Sequence, residues 1–203
     1  MGILREIFGP SKEEIWRQLC AEIGAQYVEG GFFRQGKVRL SHREWHITLD
    51  TYTVATGQTV MIFTRIRAPY VNRDGFRFRI YRKSVFSWLG KLFGAEDIQI
   101  GDNFFDEEFI IQGNPASAVV RLLSSAKIRE LMQLQPDIHL EVKDDEGWFG
   151  DTFPEGVDEL YFQTSGVIKD KERLRGLFEL FALVLDELCD MGSAYERSPG
   201  MEQ

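Results

Sequence analysis

The chain has 203 residues, 43% of them hydrophobic and 28% charged, with a formal net charge of -8. That length suits one domain with a continuous core, and the composition is globular rather than disordered. The negative balance excludes wholesale nucleic-acid binding, which needs a broad basic face to neutralise phosphates. No apolar run approaches the roughly 20 residues of a membrane-spanning helix. The opening MGILREIFGPS also lacks the apolar core and small-residue cleavage site of a signal peptide, so the expected location is the cytoplasm. Cys20 and Cys189 fall among apolar residues of predicted helices without metal-like spacing, and both read as buried thiols.

The first predicted helix begins at Ser11, which forms a capping box with Glu14. Ile15, Trp16, Leu19, Cys20 and Ile23 share one face, and the helix ends near Gly24. From Gln26 to Arg82 the pattern is strand-like, with turn signals at Gln35-Gly36, Thr56-Gly57 and Asp74-Gly75, which predicts a run of antiparallel hairpins.

Inside SHREWHITLD, residues His42, Glu44 and His46 form a His-x-Glu-x-His pattern. On one straight strand these three share a face with Thr48 and Asp50, while Trp45, Ile47 and Leu49 share the other. At roughly 3.3 Å per residue the two imidazoles stand about 13 Å apart, beyond the reach of one ion unless a bulge shortens the span. The pattern is therefore read as the polar side of a sheet, with no metal assigned. If Thr56-Gly57 centres the following turn, Arg67 lies opposite His46, Arg65 opposite Thr48 and Ile66 opposite Ile47. Val60, Ile62 and Ile66 then join the buried face, and Arg65 and Arg67 lie beside Glu44, His46 and Asp50. In the next predicted hairpin a loop of Asn72 to Gly75 would turn Phe76, Phe78 and Ile80 to the polar face, so a bulge at Pro69 is expected to return them to the core.

Arg65, Arg67, Arg73, Arg77, Arg79, Arg82 and Lys83 form a basic run containing the single acid Asp74. Two readings apply: a contact surface for an anionic partner, or internal pairing with acids such as Asp50 and Glu44. VFSWLGKLFG follows, placing Phe86, Trp88, Leu92 and Phe93 next to the basic strand. These aromatics suit a membrane interface or a partner groove, or else the core. A second aromatic pair, Trp148 and Phe149, sits in the oxygen-rich stretch DDEGWFGDTFPEGVD. That stretch lacks the alternating ligand spacing of a calcium-binding EF-hand and reads as a docking loop.

In the second half a strand is predicted around Phe109 to Ile111. Asn114 caps a helix with Pro115 at its first position. Val119, Val120, Leu122, Leu123, Ile128, Leu131 and Met132 then suggest one broken helix or two short ones. Strands around Ile138 to Val142 and Leu160 to Thr164 precede a final helix from about Lys171 to Met191. Its stripe of Leu174, Leu177, Phe178, Phe181, Val184, Leu185 and Leu188 belongs in the core. His139 alternates with Asp137 and Glu141, and no Ser or Cys occupies a nucleophile elbow, so no catalytic residue is assigned.

From Phe104 to Leu188 the chain reads FFDEEFIIQG, RLLSSAKIRELM, IHLEV and ELYFQTSG before the long last helix. It resembles an uncharacterised bacterial domain family with an aromatic-Asp-x-x-Phe strand, a Leu-Leu helix, two strands and a C-terminal helix. The resemblance covers less than half of the chain and implies a bacterial origin, but it supplies no catalytic residue or cofactor. Members of that family often look like cytoplasmic domains attached to membrane helices, whereas this sequence has no membrane helix and inserts GWFGDTFPEG between the late strands.

The expected fold is α+β: an antiparallel sheet built from hairpins, with the N-terminal and long C-terminal helices packed on its apolar face. Residues 1–203 read as one domain, with 1–95 and 96–203 as its subdomains. The expected function is a non-enzymatic binding or interaction module with no cofactor, whose partner is an unknown protein or an anionic membrane surface. The candidate surface comprises Arg77, Arg79, Arg82, Lys83, Phe86, Trp88, Leu92, Phe93, Trp148 and Phe149. The alternative is a small-ligand-binding protein or hydrolase with a pocket between the last helix and the sheet.

Overall fold

The computed structural model describes residues 10–31, 35–57, 59–85, 97–144 and 153–200. Among these the chain is α+β, with nine antiparallel strands in one open sheet and its long N- and C-terminal helices on the apolar face.

Helix α1 spans Lys12–Ile23. Ser11 Oγ accepts from Glu14 N at its start, and Gly24, at φ 70°, closes it in the left-handed conformation that a residue without Cβ adopts at little cost. Strands β1 (Gln26–Val28), β2 (Lys37–His42), β3 (Trp45–Thr56) and β4 (Thr59–Asn72) pair in chain order. Strand β5 is Arg77–Arg82, β6 is Phe109–Asn114, β7 is His139–Lys143, β8 is Val157–Ser165 and β9 is Ala194–Tyr195. The order across the sheet is β1-β2-β3-β4-β8-β7-β5-β6, with β9 beside the end of β4.

That order corrects the expected β4–β5 hairpin. Asp74 and Gly75 do lie in a turn, but β8 and β7 separate the strands on either side of it. The register conflict therefore never arises, and Phe76, Phe78 and Ile80 are buried with Pro69 seated in the ladder opposite Glu159. Pro69 acts elsewhere. Pairing of β4 with β3 stops at Thr48↔Arg67, two positions before the residue that has no N–H to donate. Strand β9 then pairs with Val71 and Asn72.

The β3–β4 register also differs from expectation. The turn is centred one residue later, so Thr48 faces Arg67, Leu49 faces Ile66 and Asp50 faces Arg65. Partners move by two residues, an even number, so every side chain keeps its expected face. Val60 and Ile62 share the face of Ile66 but lie beyond the core, 67% and 42% exposed.

Two short helices are α3 (Ala116–Leu122) and α4 (Ala126–Gln133). Pro115, after a cis peptide bond, holds the cap position of α3, so Asn114 ends β6 instead of capping the helix. Helix α2 (Asn103–Glu108) occupies most of the FFDEEF stretch, and only Phe109 begins the strand. Phe105 and Phe109 stack across this junction, with ring centroids 4.2 Å apart. The buried Asp106 carboxylate accepts from Ile100 N and Gly101 N, both at 3.0 Å.

Helix α5 (Lys171–Asp190) buries the whole expected stripe and packs against α1, α3, α4 and β3. Trp16 of α1 donates its indole N–H to Ile168 O at 3.2 Å, tying the first helix to the approach of the last. Cys20 is buried, with burial raising its thiol pKa, while Cys189 is only half-buried; both are free thiols.

Candidate functional site on the outer face of the sheet

One row of residues crosses seven strands and explains both faces. Val38, Leu49, Ile66, Phe162, Leu140, Ile80 and Ile111 are consecutive cross-strand partners from β2 to β6, and all are completely buried beneath the helices. One position along each strand, Arg39, Thr48, Arg67, Tyr161, Glu141, Arg79 and Gln112 are likewise consecutive partners. Side chains alternate along a strand, so this second row lies on the opposite side. Helices α1 and α5 lie on the apolar side, and Phe153, packed with Val71 and Val157, covers one end of the polar one, where Thr48, Arg67, Tyr161 and Glu141 are also buried.

Basic and acidic groups interlock along this outer face. Asp50 accepts from Arg65 Nε at 2.6 Å and from an Arg67 guanidinium nitrogen at 2.8 Å. Arg79 Nε donates to Glu141 Oε2 at 2.7 Å, and Lys143 Nζ lies 3.4 Å from the other oxygen. His139 Nε2 stands 3.5 Å from Glu141 Oε2, too long for a good hydrogen bond. Tyr52 and Tyr161 donate their hydroxyls to the same oxygen of Gln163 at 2.7 and 2.8 Å. The Lys143 ammonium sits over the Tyr161 ring and the Arg65 guanidinium over the Tyr52 ring.

Burial alone would raise the Glu141 carboxyl, but His139, Lys143 and Arg79 around it outweigh burial and bring its pKa down to about 2. Burial, reinforced by Tyr52, pushes the Tyr161 phenol well above its ordinary range. Burial, with Arg79 nearby, also lowers the Lys143 pKa despite the opposing pull of Glu141 and Glu159. The face therefore holds Glu141 ionised and Tyr161 neutral at ordinary pH.

Each described residue of the basic strand has a partner within the chain. Arg77 binds Asp158 and Asp144, Arg82 binds Glu108 and the carbonyls of Gln133 and Gln135, and Lys83 donates to Asp106 O. Arg77 and Arg79 nonetheless remain 46% and 39% exposed, so their guanidinium edges reach solvent. Phe86, Trp88, Leu92 and Phe93 lie outside the described residues, as do Trp148 and Phe149.

The His-x-Glu-x-His segment is not one strand. Arg43, at φ 50°, and Glu44 make the two-residue turn between β2 and β3. His42 pairs with Trp45 and shares the helix side, where its ring stacks on the indole and Nε2 lies 2.9 Å from Asp186 Oδ1 of α5. His46 faces the other way, with Nδ1 3.3 Å from Ser41 Oγ. The straight-strand spacing is thus replaced by a stronger separation, two imidazoles on opposite faces. No group of three or more potential metal ligands occurs among the described residues. Among these residues no third group orients the Ser41–His46 contact, as nucleophilic catalysis would need.

The space between α5 and the sheet, where a pocket was the alternative expectation, is filled by Leu174, Leu177, Phe181, Val184, Leu185 and Leu188, all fully buried. A groove of about 490 Å³ lies elsewhere, between the start of α2 and the end of α3, where Asp102 accepts a 3.2 Å ion pair from Arg129. Sequence reading found the polar alternation of β3 and β7 but not the row itself. No local signal places Glu141 beside Arg79, 62 residues away.

No helix among the described residues is long and apolar enough to cross a membrane. Comparison of the chain with family models, curated proteins and solved structures finds no match.

Proposed function

We propose that the chain is a non-enzymatic binding module of the bacterial cytoplasm that engages a protein partner through the face of its sheet opposite α1 and α5. The observation that carries this reading is the polar row Arg39–Thr48–Arg67–Tyr161–Glu141–Arg79–Gln112, cross-linked by ion pairs: Thr48, Arg67, Tyr161 and Glu141 are buried in it, and Arg79, 39% exposed, brings it to solvent. A surface that carries both charge signs suits another protein bearing complementary charges. An anionic membrane would favour unneutralised cations, and Arg77, Arg79 and Arg82 each have a carboxylate partner.

Photo-crosslinking residues placed at Arg79, Gln112 and His46 test this in living bacteria against controls at Arg175 and Glu179 on α5. The expected result is a discrete protein adduct from the outer-face positions, lost when Arg77 and Arg79 are both changed to Glu. Adducts from α5 alone would refute the proposal. Co-sedimentation with anionic vesicles that the same double change abolishes would replace the protein partner with a membrane.

A further inference from the structure

Arg73 is the member of the basic run whose side chain meets no oxygen among the described residues. Arg65, Arg67, Arg77, Arg79 and Arg82 bind carboxylates, and Lys83 binds a carbonyl. The Arg73 guanidinium instead lies over the ring of Tyr195, 5.5 Å from its centroid. Arg197 lies over the same ring at 5.1 Å, and its guanidinium also meets no oxygen among these residues. The fold turns the adjacent acids away: Asp74 accepts from Ser193 Oγ at 2.8 Å and from Phe76 N at 3.0 Å, while Glu196 pairs with Arg43 at 3.1 Å. Backbone bonds hold the three residues in place. Tyr195 pairs with Val71 across β4 and β9, Arg73 N donates to Ser193 O, and Arg197 N donates to Tyr195 O. Directly paired residues share a face, so Tyr195 stands with Val71 at the end of the polar side, and its ring, Arg73 and Arg197 are all exposed.

A guanidinium drawn to a ring by its charge keeps its N–H donors for an oxygen acceptor, and their planar fork matches a carboxylate with two bonds. The ring between the two cations adds apolar surface for the methylene groups that carry such a carboxylate. We infer that Arg73, Tyr195 and Arg197 form a clamp for an acidic peptide segment of a partner protein, with Glu or Asp carboxylates on the guanidiniums and their methylenes on the ring. The net charge of -8 opposes this ligand at a distance, but at physiological salt that repulsion is screened over about 8 Å. At contact range the ligand meets two cations whose neighbouring acids are engaged elsewhere. The clamp draws its charge from residues outside the polar row, so it binds whether or not that row engages a protein.

The arginine Nε–H signals of the isotope-labelled chain, assigned from Arg73→Gln and Arg197→Gln, read the site directly. Titration with a capped hexapeptide of alternating Glu and Gly is expected to shift both signals and the Tyr195 ring saturably, and the Gln/Gly counterpart should shift neither. Each arginine variant should weaken binding about tenfold, from one lost charge-assisted contact, and the double variant should abolish it. Tyr195→Phe should bind like wild type, as should Arg175→Gln on the exposed side of α5. All these substitutions are at exposed positions and leave the core untouched. No shift at millimolar peptide, equal binding of the Gln peptide, or a double variant that binds at wild-type strength overturns the inference. Inorganic phosphate that shifts both signals where the acidic peptide does not would overturn it in favour of a phosphorylated ligand. Anionic vesicles that broaden both signals where the peptide has no effect would overturn it in favour of a membrane.

Discussion

Glu141 is the charge on which the outer face turns, and its removal has a defined pH signature. The side chain is 6% exposed and is surrounded by Arg79, Lys143 and His139, which hold its pKa near 2 against an ordinary 4.5. At about 1.4 kcal/mol per pH unit, that displacement corresponds to about 3 kcal/mol of stability. The folded value lies below the unfolded one, so the contribution is complete above about pH 4.5 and is lost as pH falls toward about 2. Glu141→Gln should therefore unfold about 3 kcal/mol more easily than wild type at pH 7, with the gap closing between pH 4.5 and 2. Urea titrations followed by fluorescence of the buried Trp16 and Trp45 measure both proteins across that range. The other carboxylates titrate in both and cancel in the difference. A gap below about 1 kcal/mol at pH 7, or one that stays constant down to pH 2.5, would refute the ion-pair account.

Phe181→Ala should cost about 3 to 5 kcal/mol, because the ring is fully buried in the middle of α5 and its removal leaves a cavity; a loss under about 1 kcal/mol in denaturant would detach α5 from the core. Gly113→Ala should destabilise by about 1 to 3 kcal/mol, since the added carbon would lie 2.5 Å from Val119 Cγ2 and 3.0 Å from Arg77 O. Gly176→Ala, inside α5 with its nearest contact at 3.7 Å, should instead stabilise by about 0.5 to 1 kcal/mol, so thermal melts of the two variants are expected to shift in opposite directions. Elemental analysis of untagged protein should find no stoichiometric transition metal held by His42, Glu44 and His46. Zinc lost on changing both histidines to Ala would contradict their placement on opposite faces.

Periodicity along the chain was enough to determine the long helices, their buried stripes and which residues of β3, β4 and β5 face the core. These features repeat every 3.6 or 2 residues, so a window of a dozen residues carries them. Faces survived even where partners were misassigned, because the β3–β4 register moved by an even number. Local pattern did fail at Arg43-Glu44, whose turn has neither Gly nor Pro to mark it, and at FFDEEF, where a six-residue helix is too short to show a period. Tertiary structure alone decided the strand order. Inserting β8 and β7 between β4 and β5 separates strands joined by a four-residue connection, and it brings Arg79 to Glu141 and Arg67 to Tyr161 across long stretches of chain. The physical reason is that strand pairing is satisfied by any edge presenting apolar residues on the matching face. The choice among edges is made by the whole helix layer closing over Val38, Leu49, Ile66, Phe162, Leu140, Ile80 and Ile111 at once, and no single segment contains that information.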